Sequence, residues 1–280
     1  MSTNESGFLS REMDGVRHAI RNMPVTKPWF ELADDLNRLG YDLMDGHRAP
    51  LDDKRKLMAS GIFVLVHKSF QAALLLAERG LSGEANTILR RAVEGTIALH
   101  ALESDHSFVY SIMGSHLSSQ KRTAKRILSD VDCMDHLDPE TVQRLQATAG
   151  GNDAMSLGPP LVKARINWEQ EAKNHCKGFY DLVYRPLSQH GTHITVDTIC
   201  QQFSTDERGQ INAIKLGPDT DGLGIPLKFA CLILVGSARA IANMFGKEQF
   251  GDRLQNLQGR IGRMVDSEAT DAGPVAPPSV

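Results

Sequence analysis

The sequence is poor in the groupings from which metal centres and disulfide frameworks are made. Its four cysteines, Cys133, Cys176, Cys200 and Cys231, stand far apart, with no C-x-x-C pair. This spacing excludes a zinc knuckle or a disulfide scaffold and fits a reducing compartment, so a cytoplasmic location is expected. H-E-x-x-H, the phosphate-cradling P-loop, G-x-G-x-x-G behind a strand and G-x-S-x-G are all missing. Neither a metal site nor a cofactor is expected. Charge of one sign is also lacking: 31 Lys and Arg face 34 Asp and Glu, a net of -3. Any polyanion site would have to be a local patch. Aromatics make up only 6%. No run alternates between apolar and polar for long enough to predict a sheet. The most apolar stretch, Ile225 to Phe245, contains Pro226, Lys228 and Arg239. Its uncharged run of about ten residues falls short of the ~18 that a span requires, so a buried helix, and no membrane partner, is expected.

What is present is helical periodicity. Phe30, Ala33, Leu36, Leu39 and Leu43 predict a helix over 29–44. Phe63, Val66, Phe70, Leu74 and Ala77 form one stripe over 59–79, and Gly80 supplies the stop. Ser82 reads as the N-cap of a second long helix reaching about Leu102. The two form an antiparallel helical hairpin. A third long helix is predicted over 105–130, and a shorter one follows Asp138-Pro139. Further helices are expected at 161–177, 195–203, 225–245 and 250–264. A polar loop spans 204–224, with one extended piece at 211–216. The fold class is therefore all-α: a single helical-bundle domain over 51–266, an irregular N-terminal helical appendage over 1–50 and a disordered tail over 267–280.

Two constellations stand out. Arg90 and Glu94 lie four apart in the second helix of the hairpin, where they can pair along one face. Beside Leu89, Ala92 and Val93, such a pair could also hold a second segment or line a cleft. The other is Tyr184-Arg-Pro-Leu-Ser-Gln-His-Gly-Thr-His193, with a phenol, a guanidinium, a hydroxyl and two imidazoles in ten residues. Tyr184 and Ser188 share a helical face. Arg185 and His190 would sit about 140° apart on a regular helix, although Pro186 and Gly191 argue against a plain helix interior. Histidine can move protons near neutrality and arginine can hold a phosphate or an oxyanion. Arg185, His190 and His193 are thus the candidate catalytic set, with Arg90, Glu94, Tyr184 and Ser188 as supporting or ligand-binding residues. Lys121, Arg122, Lys125 and Arg126 form a basic end to the third helix. It reads first as a solvated, dipole-friendly terminus and second as a candidate phosphate patch.

The order of these features resembles a bacterial helical family of uncharacterised function. That family shows L-R-x-x-x-E, here Leu89, Arg90 and Glu94. It then shows Y-x-x-L-S followed by a histidine, here Tyr184, Leu187, Ser188 and His190 or His193. A more distant resemblance is to the HEPN superfamily, whose nuclease members carry Arg-x4-6-His, matched by Arg185 and His190; Pro186 stands where that pattern usually has a polar residue. The HEPN resemblance implies a metal-independent endoribonuclease of toxin or phage-defence type acting on RNA. It also implies a homodimer and an antitoxin or other defence partner protein. His190 would be the acid/base, Arg185 the phosphate stabiliser and His193 a second proton donor. The alternative left open by the residues is a non-catalytic helical module that binds a ligand or partner. In it the Arg/Glu/Tyr/Ser/His cluster is a polar network fixing helix packing.

Overall fold

A computed structural model describes residues 7–150, 165–191, 196–206 and 208–271, with backbone alone at 189–191, 197 and 268–271. After a short 3-10 turn (Gly7–Leu9) come α1 (Met13–Arg21), α2 (Lys27–Met44), α3 (Lys54–Ala77), α4 (Ser82–Ser104) and α5 (Phe108–Leu128). The short α6 (Val131–Met134), α7 (Pro139–Gly150) and α8 (Trp168–His175) follow. One continuous helical segment is built from α9 (Lys177–Phe179), a π turn (Tyr180–Tyr184) and α10 (Arg185–Gly191). The chain then forms α11 (Val196–Cys200), the strands β1 (Phe203–Thr205) and β2 (Ile211–Ile214), α12 (Gly224–Met244) and α13 (Gly251–Asp271). The all-α class and the long α3–α4 hairpin hold.

The core is made by α12 lying against α2, α3 and α4. Ala230, Ile233, Leu234, Ala238 and Ile241 of α12 are fully buried, as are Leu36, Phe63, Phe70, Leu89 and Leu99 of its neighbours. Burying each such leucine or phenylalanine is worth roughly 1.5–3 kcal/mol. One buried polar contact marks the register, the Thr96 and Ser237 hydroxyls meeting at 2.7 Å between α4 and α12. By length and composition both α3 and α12 would suffice to cross a membrane, contrary to the sequence expectation for 225–245. Most of α12 is enclosed by other helices, which is the environment of a core helix, whereas α3 leaves Leu57, Leu65 and Leu75 exposed.

Local signals explain most boundaries. Gly80 ends the α3 turn with φ +77°, a conformation open to glycine. Asp53 caps α3 by accepting from the Lys56 N–H, so α3 starts five residues earlier than its apolar stripe suggests. Several expectations are corrected. Residues 13–21 form a helix: Met13 and Ile20 are buried, and Arg17 and Arg21 reach the buried Glu78 carboxylate at 2.7 and 3.2 Å. Ser82 does not cap α4; the helix begins at Ser82 itself, with no side-chain cap at Leu81. Phe203, the last residue of the helix expected over 195–203, is strand instead: residues 203–205 pair with 211–214, inside the extended piece expected at 211–216, as a small antiparallel hairpin. Of the tail expected from 267, residues 267–271 continue α13, and 272–280 lie outside the described residues.

Candidate functional site

Pro186 stands just after the turn that approaches α4. It has no N–H to donate, and its ring would crowd the carbonyl four residues earlier in a regular helix. The chain is widened before it: the Arg185 N–H donates to the Tyr180 carbonyl five residues back, which defines the π turn. The buried Val183 and Leu187 anchor this segment on the core. Tyr180 stacks on Tyr184, with centroids 5.1 Å apart and planes 20° apart.

The widened turn directs Tyr184 at Arg90. Arg90 Nη2 donates to the Tyr184 hydroxyl at 2.7 Å, Nε to Ser188 Oγ at 3.2 Å and Nη1 to Glu94 Oε1 at 2.8 Å. The Tyr184 hydroxyl in turn donates to Glu94 Oε1 at 3.5 Å. The guanidinium carbon also lies 5.0 Å from the Tyr184 ring centroid, within cation–π range. Burial pushes the Tyr184 phenol up from its ordinary value; Arg90 pulls it down and Glu94 pushes it up again. The phenol therefore stays protonated near neutrality and serves as a hydrogen-bonding bridge. Four supporting residues are brought together as a clasp between α4 and the π turn–α10 segment.

The candidate catalytic residues are placed differently. Arg185 points away from the clasp into solvent, its side chain 61% exposed, and pairs with the exposed Asp181 at 3.3 Å. His190 lies in the last turn of α10, where only the backbone is described, and His193 lies outside the described residues. Arg122, Lys125 and Arg126 are exposed on the end of α5 and Lys121 is half-buried. None of the four lines the clefts beside the clasp. Among the described residues no group of three or more His, Cys, Asp or Glu side chains has an arrangement that could hold a metal ion.

Glu94 has a second environment. It lines a cleft of about 370 Å³ between α3, α4 and α5, floored by Ile62, Val66, Ala98 and Ile112 and edged by Arg91 and His116. Only Oε1 takes part in the clasp, so Oε2 has no hydrogen-bond partner among the described residues. The charged pair visible in the sequence hence works on two sides, holding α10 and presenting a carboxylate to an apolar cleft.

A further polar chain joins Ser104, His175 and Glu171. Ser104 Oγ is 2.6 Å from His175 Nδ1, and His175 Nε2 is 3.6 Å from the buried Glu171. It has the residue types of a nucleophile, base and acid, but the Ser104 hydroxyl also lies 2.9 Å from the His100 carbonyl, so its one proton has two acceptors within reach. This chain ties α8 to α4. Histidine 67, on the apolar stripe of α3, is likewise enclosed, bonding Asn37 at 2.8 Å with Tyr41 edge-on to its ring.

A protein-family profile described as a family of unknown function, DUF5677, matches residues 56–211. That stretch runs from the first turn of α3 into β2 and contains all four clasp residues; it leaves out α12. No curated protein and no solved structure matches the chain. The match spans more than half of the sequence, and the chain belongs to the DUF5677 family, a family of unknown function.

Proposed function

We propose that the protein is a non-catalytic helical binding module whose ligand site is the cleft beside Glu94. The observation that supports this is the free Oε2 of Glu94 at the edge of a cleft floored by apolar side chains, where Glu94 is the one carboxylate and Arg91 the other charged group of the lining. A partly desolvated carboxylate with an open lone pair favours a ligand that brings a hydrogen-bond donor and an apolar body. The clasp then has a defined part: Arg90 and Tyr184 hold the carboxylate from behind and fix its direction. The test is calorimetric titration with octylamine and octanol. Octylamine should bind about tenfold more tightly than octanol, a difference of about 1.4 kcal/mol, and Glu94→Gln should remove that difference. Equal affinities in the wild-type protein would refute the reading.

A second reading has one observation in its favour. Arg185 is solvent-exposed and shares α10 with His190, five residues on, so an arginine able to hold a phosphate and a histidine able to move a proton belong to one short helix. Under it the protein is a metal-independent endoribonuclease and the clasp positions α10. Incubation with labelled single-stranded RNA in excess EDTA separates the two readings. Cleavage that disappears in Arg185→Ala and His190→Ala supports the nuclease, and uncut RNA removes it.

A further inference from the structure

One turn before Arg90 on the same face of α4 stands Asn86. Its side chain is enclosed, with the residue 9% exposed, and its Oδ1 has no hydrogen-bond partner. One turn earlier, the buried Ser82 Oγ is unpartnered as well. A buried polar atom without a partner is destabilising, so two of them on adjacent turns call for an explanation. Both residues line a single cavity of about 560 Å³, separate from the Glu94 cleft, between the start of α4, the start of α10 and the 215–229 segment.

The remaining walls of this cavity define what it could hold. Leu187, Leu216, Ile225 and Phe229 supply apolar surface. Glu84, Asp219 and Asp221 supply three carboxylates, against the single cation of Lys215, which sits 3.9 Å from Asp219. Neither Glu84 nor Asp221 has an ion-pair partner among the described residues. The start of α4 also faces the cavity and contributes a partial positive charge of roughly half an elementary unit. The lining side chains sum to a net charge of -2, which outweighs that contribution and disfavours an anion. The Asn86 Oδ1 and the Glu84 and Asp221 carboxylates only accept, whereas the Ser82 hydroxyl and the Asn86 Nδ2 can also donate; with the lining at a net charge of -2, the component that suits the cavity is a cation that donates.

We propose that this cavity is a binding site for a small organic cation rich in hydrogen-bond donors, an amine or guanidine carried on an apolar body. The donors meet Asn86 Oδ1 and Ser82 Oγ, the positive charge is balanced by Glu84 and Asp221, and the body packs on Leu216 and Phe229. The site is independent of the Glu94 cleft and does not rest on the function assigned to it.

Three probes of matched shape test this by calorimetry on the full chain: phenylguanidine, neutral phenylurea and anionic benzoate. Phenylguanidine should bind saturably, at least tenfold more tightly than phenylurea, with no binding of benzoate. Asn86→Leu and the exposed Asp221→Asn should each weaken phenylguanidine at least tenfold, whereas Asp132→Asn, an exposed carboxylate on the distant α6, should leave its affinity unchanged. Asp221→Asn replaces a surface side chain and keeps the test valid should Asn86→Leu fail to fold. Benzoate binding as well as phenylguanidine, no saturable binding of phenylguanidine, or full affinity retained in Asp221→Asn would each overturn the proposal. A loss produced equally by Asp132→Asn would make the binding a non-specific surface effect and overturn it too.

Discussion

Arg90 and Tyr184 are 94 residues apart in sequence and joined by a 2.7 Å hydrogen bond, with the guanidinium also over the phenol ring. This contact adds a directional tie between the π turn and α4 to the apolar anchoring by Val183 and Leu187. Tyr184→Phe keeps the ring and removes the hydroxyl from both Arg90 and Glu94, which should cost about 1 kcal/mol. Arg90→Ala strips Glu94 and Ser188 of a partner as well and should cost about 2–3 kcal/mol. Urea unfolding of the two single variants and the double variant should give a coupling energy of about 1 kcal/mol; additivity would mean that the two residues are merely adjacent.

Glu78 makes a second long-range tie. Its carboxylate is buried at the end of α3, with Arg17 and Arg21 of α1 at 2.7 and 3.2 Å, and Arg21 also reaches Asp34 at 2.6 Å. The Arg17 contact is close but lacks hydrogen-bond geometry at Oε1, so Arg21 carries more of the tie. Glu78→Gln should cost about 2–3 kcal/mol, below the range for a fully buried pair because both arginines are partly in water. It should also speed hydrogen exchange in α1 before the rest of the bundle. Uniform exchange across the helices would argue that α1 is held by Met13 and Ile20 alone.

These two ties show what the sequence could and could not convey. Helix existence was legible because apolar residues recur at helical spacing, as in Phe63, Val66, Phe70 and Leu74. Arg90 and Glu94 were legible as a pair because four residues separate them. The partners Tyr184 and Ser188 were suggested by motif order alone, since no local periodicity links positions some 90 residues apart. Asn86 carries no chemical signal of its own in the sequence, although its spacing of four from Arg90 places it on the same face. The π turn has one trace in the sequence, Pro186; of the hairpin, the extended piece at 211–216 is legible and contains β2, whereas the three residues of β1 are too few to show alternation. The first helix was missed because its stabilising partner, Glu78, lies 57 residues beyond Arg21.

Histidine 67 gives the protein a pH dependence of definite sign. Burial pulls its imidazole below the ordinary value near 6.5, with the Asn37 hydrogen bond opposing. Above pH 6.5 the ring is neutral in both folded and unfolded chains and contributes no slope. As pH falls below 6.5 the unfolded chain takes up the proton first, so stability should drop by up to about 1.4 kcal/mol per pH unit, until the folded ring also protonates. His67→Gln should flatten this portion of a plot of unfolding free energy against pH. A slope unchanged in the variant would assign it to other groups.

Gly80 couples the hairpin turn to the 215–222 loop. Its φ of +77° is costly for other residues, and an added Cβ would lie 2.6 Å from Pro218 Cβ and 2.8 Å from its Cα. The loop is held there by the Asp219 N–H donating to the Gly80 carbonyl at 3.0 Å. Gly80→Ala should cost about 2–3 kcal/mol, combining left-handed strain with displaced backbone. Because Pro218 precedes Asp219 and Asp221, the same change should weaken phenylguanidine binding in the neighbouring cavity.

The π turn invites a contest between Pro186 and the clasp as its cause. Pro186→Ala restores an N–H and would allow the turn to tighten into regular helix, gaining about one hydrogen bond, or about 1 kcal/mol. Tightening by one residue rotates Tyr184 by about 100° around the axis and withdraws it from Arg90, forfeiting the larger stabilisation of the clasp. The clasp should therefore win. Pro186→Ala should change stability by less than about 1 kcal/mol and leave the Arg90–Tyr184 coupling in place. Deleting Leu182, an exposed residue inside the turn, in the Pro186→Ala background should remove the bulge while leaving both flanks in register, with the coupling again retained. If the coupling instead vanishes in Pro186→Ala alone, the proline and not the clasp dictates the turn. The four-residue network would then be a consequence of the segment's shape rather than its cause.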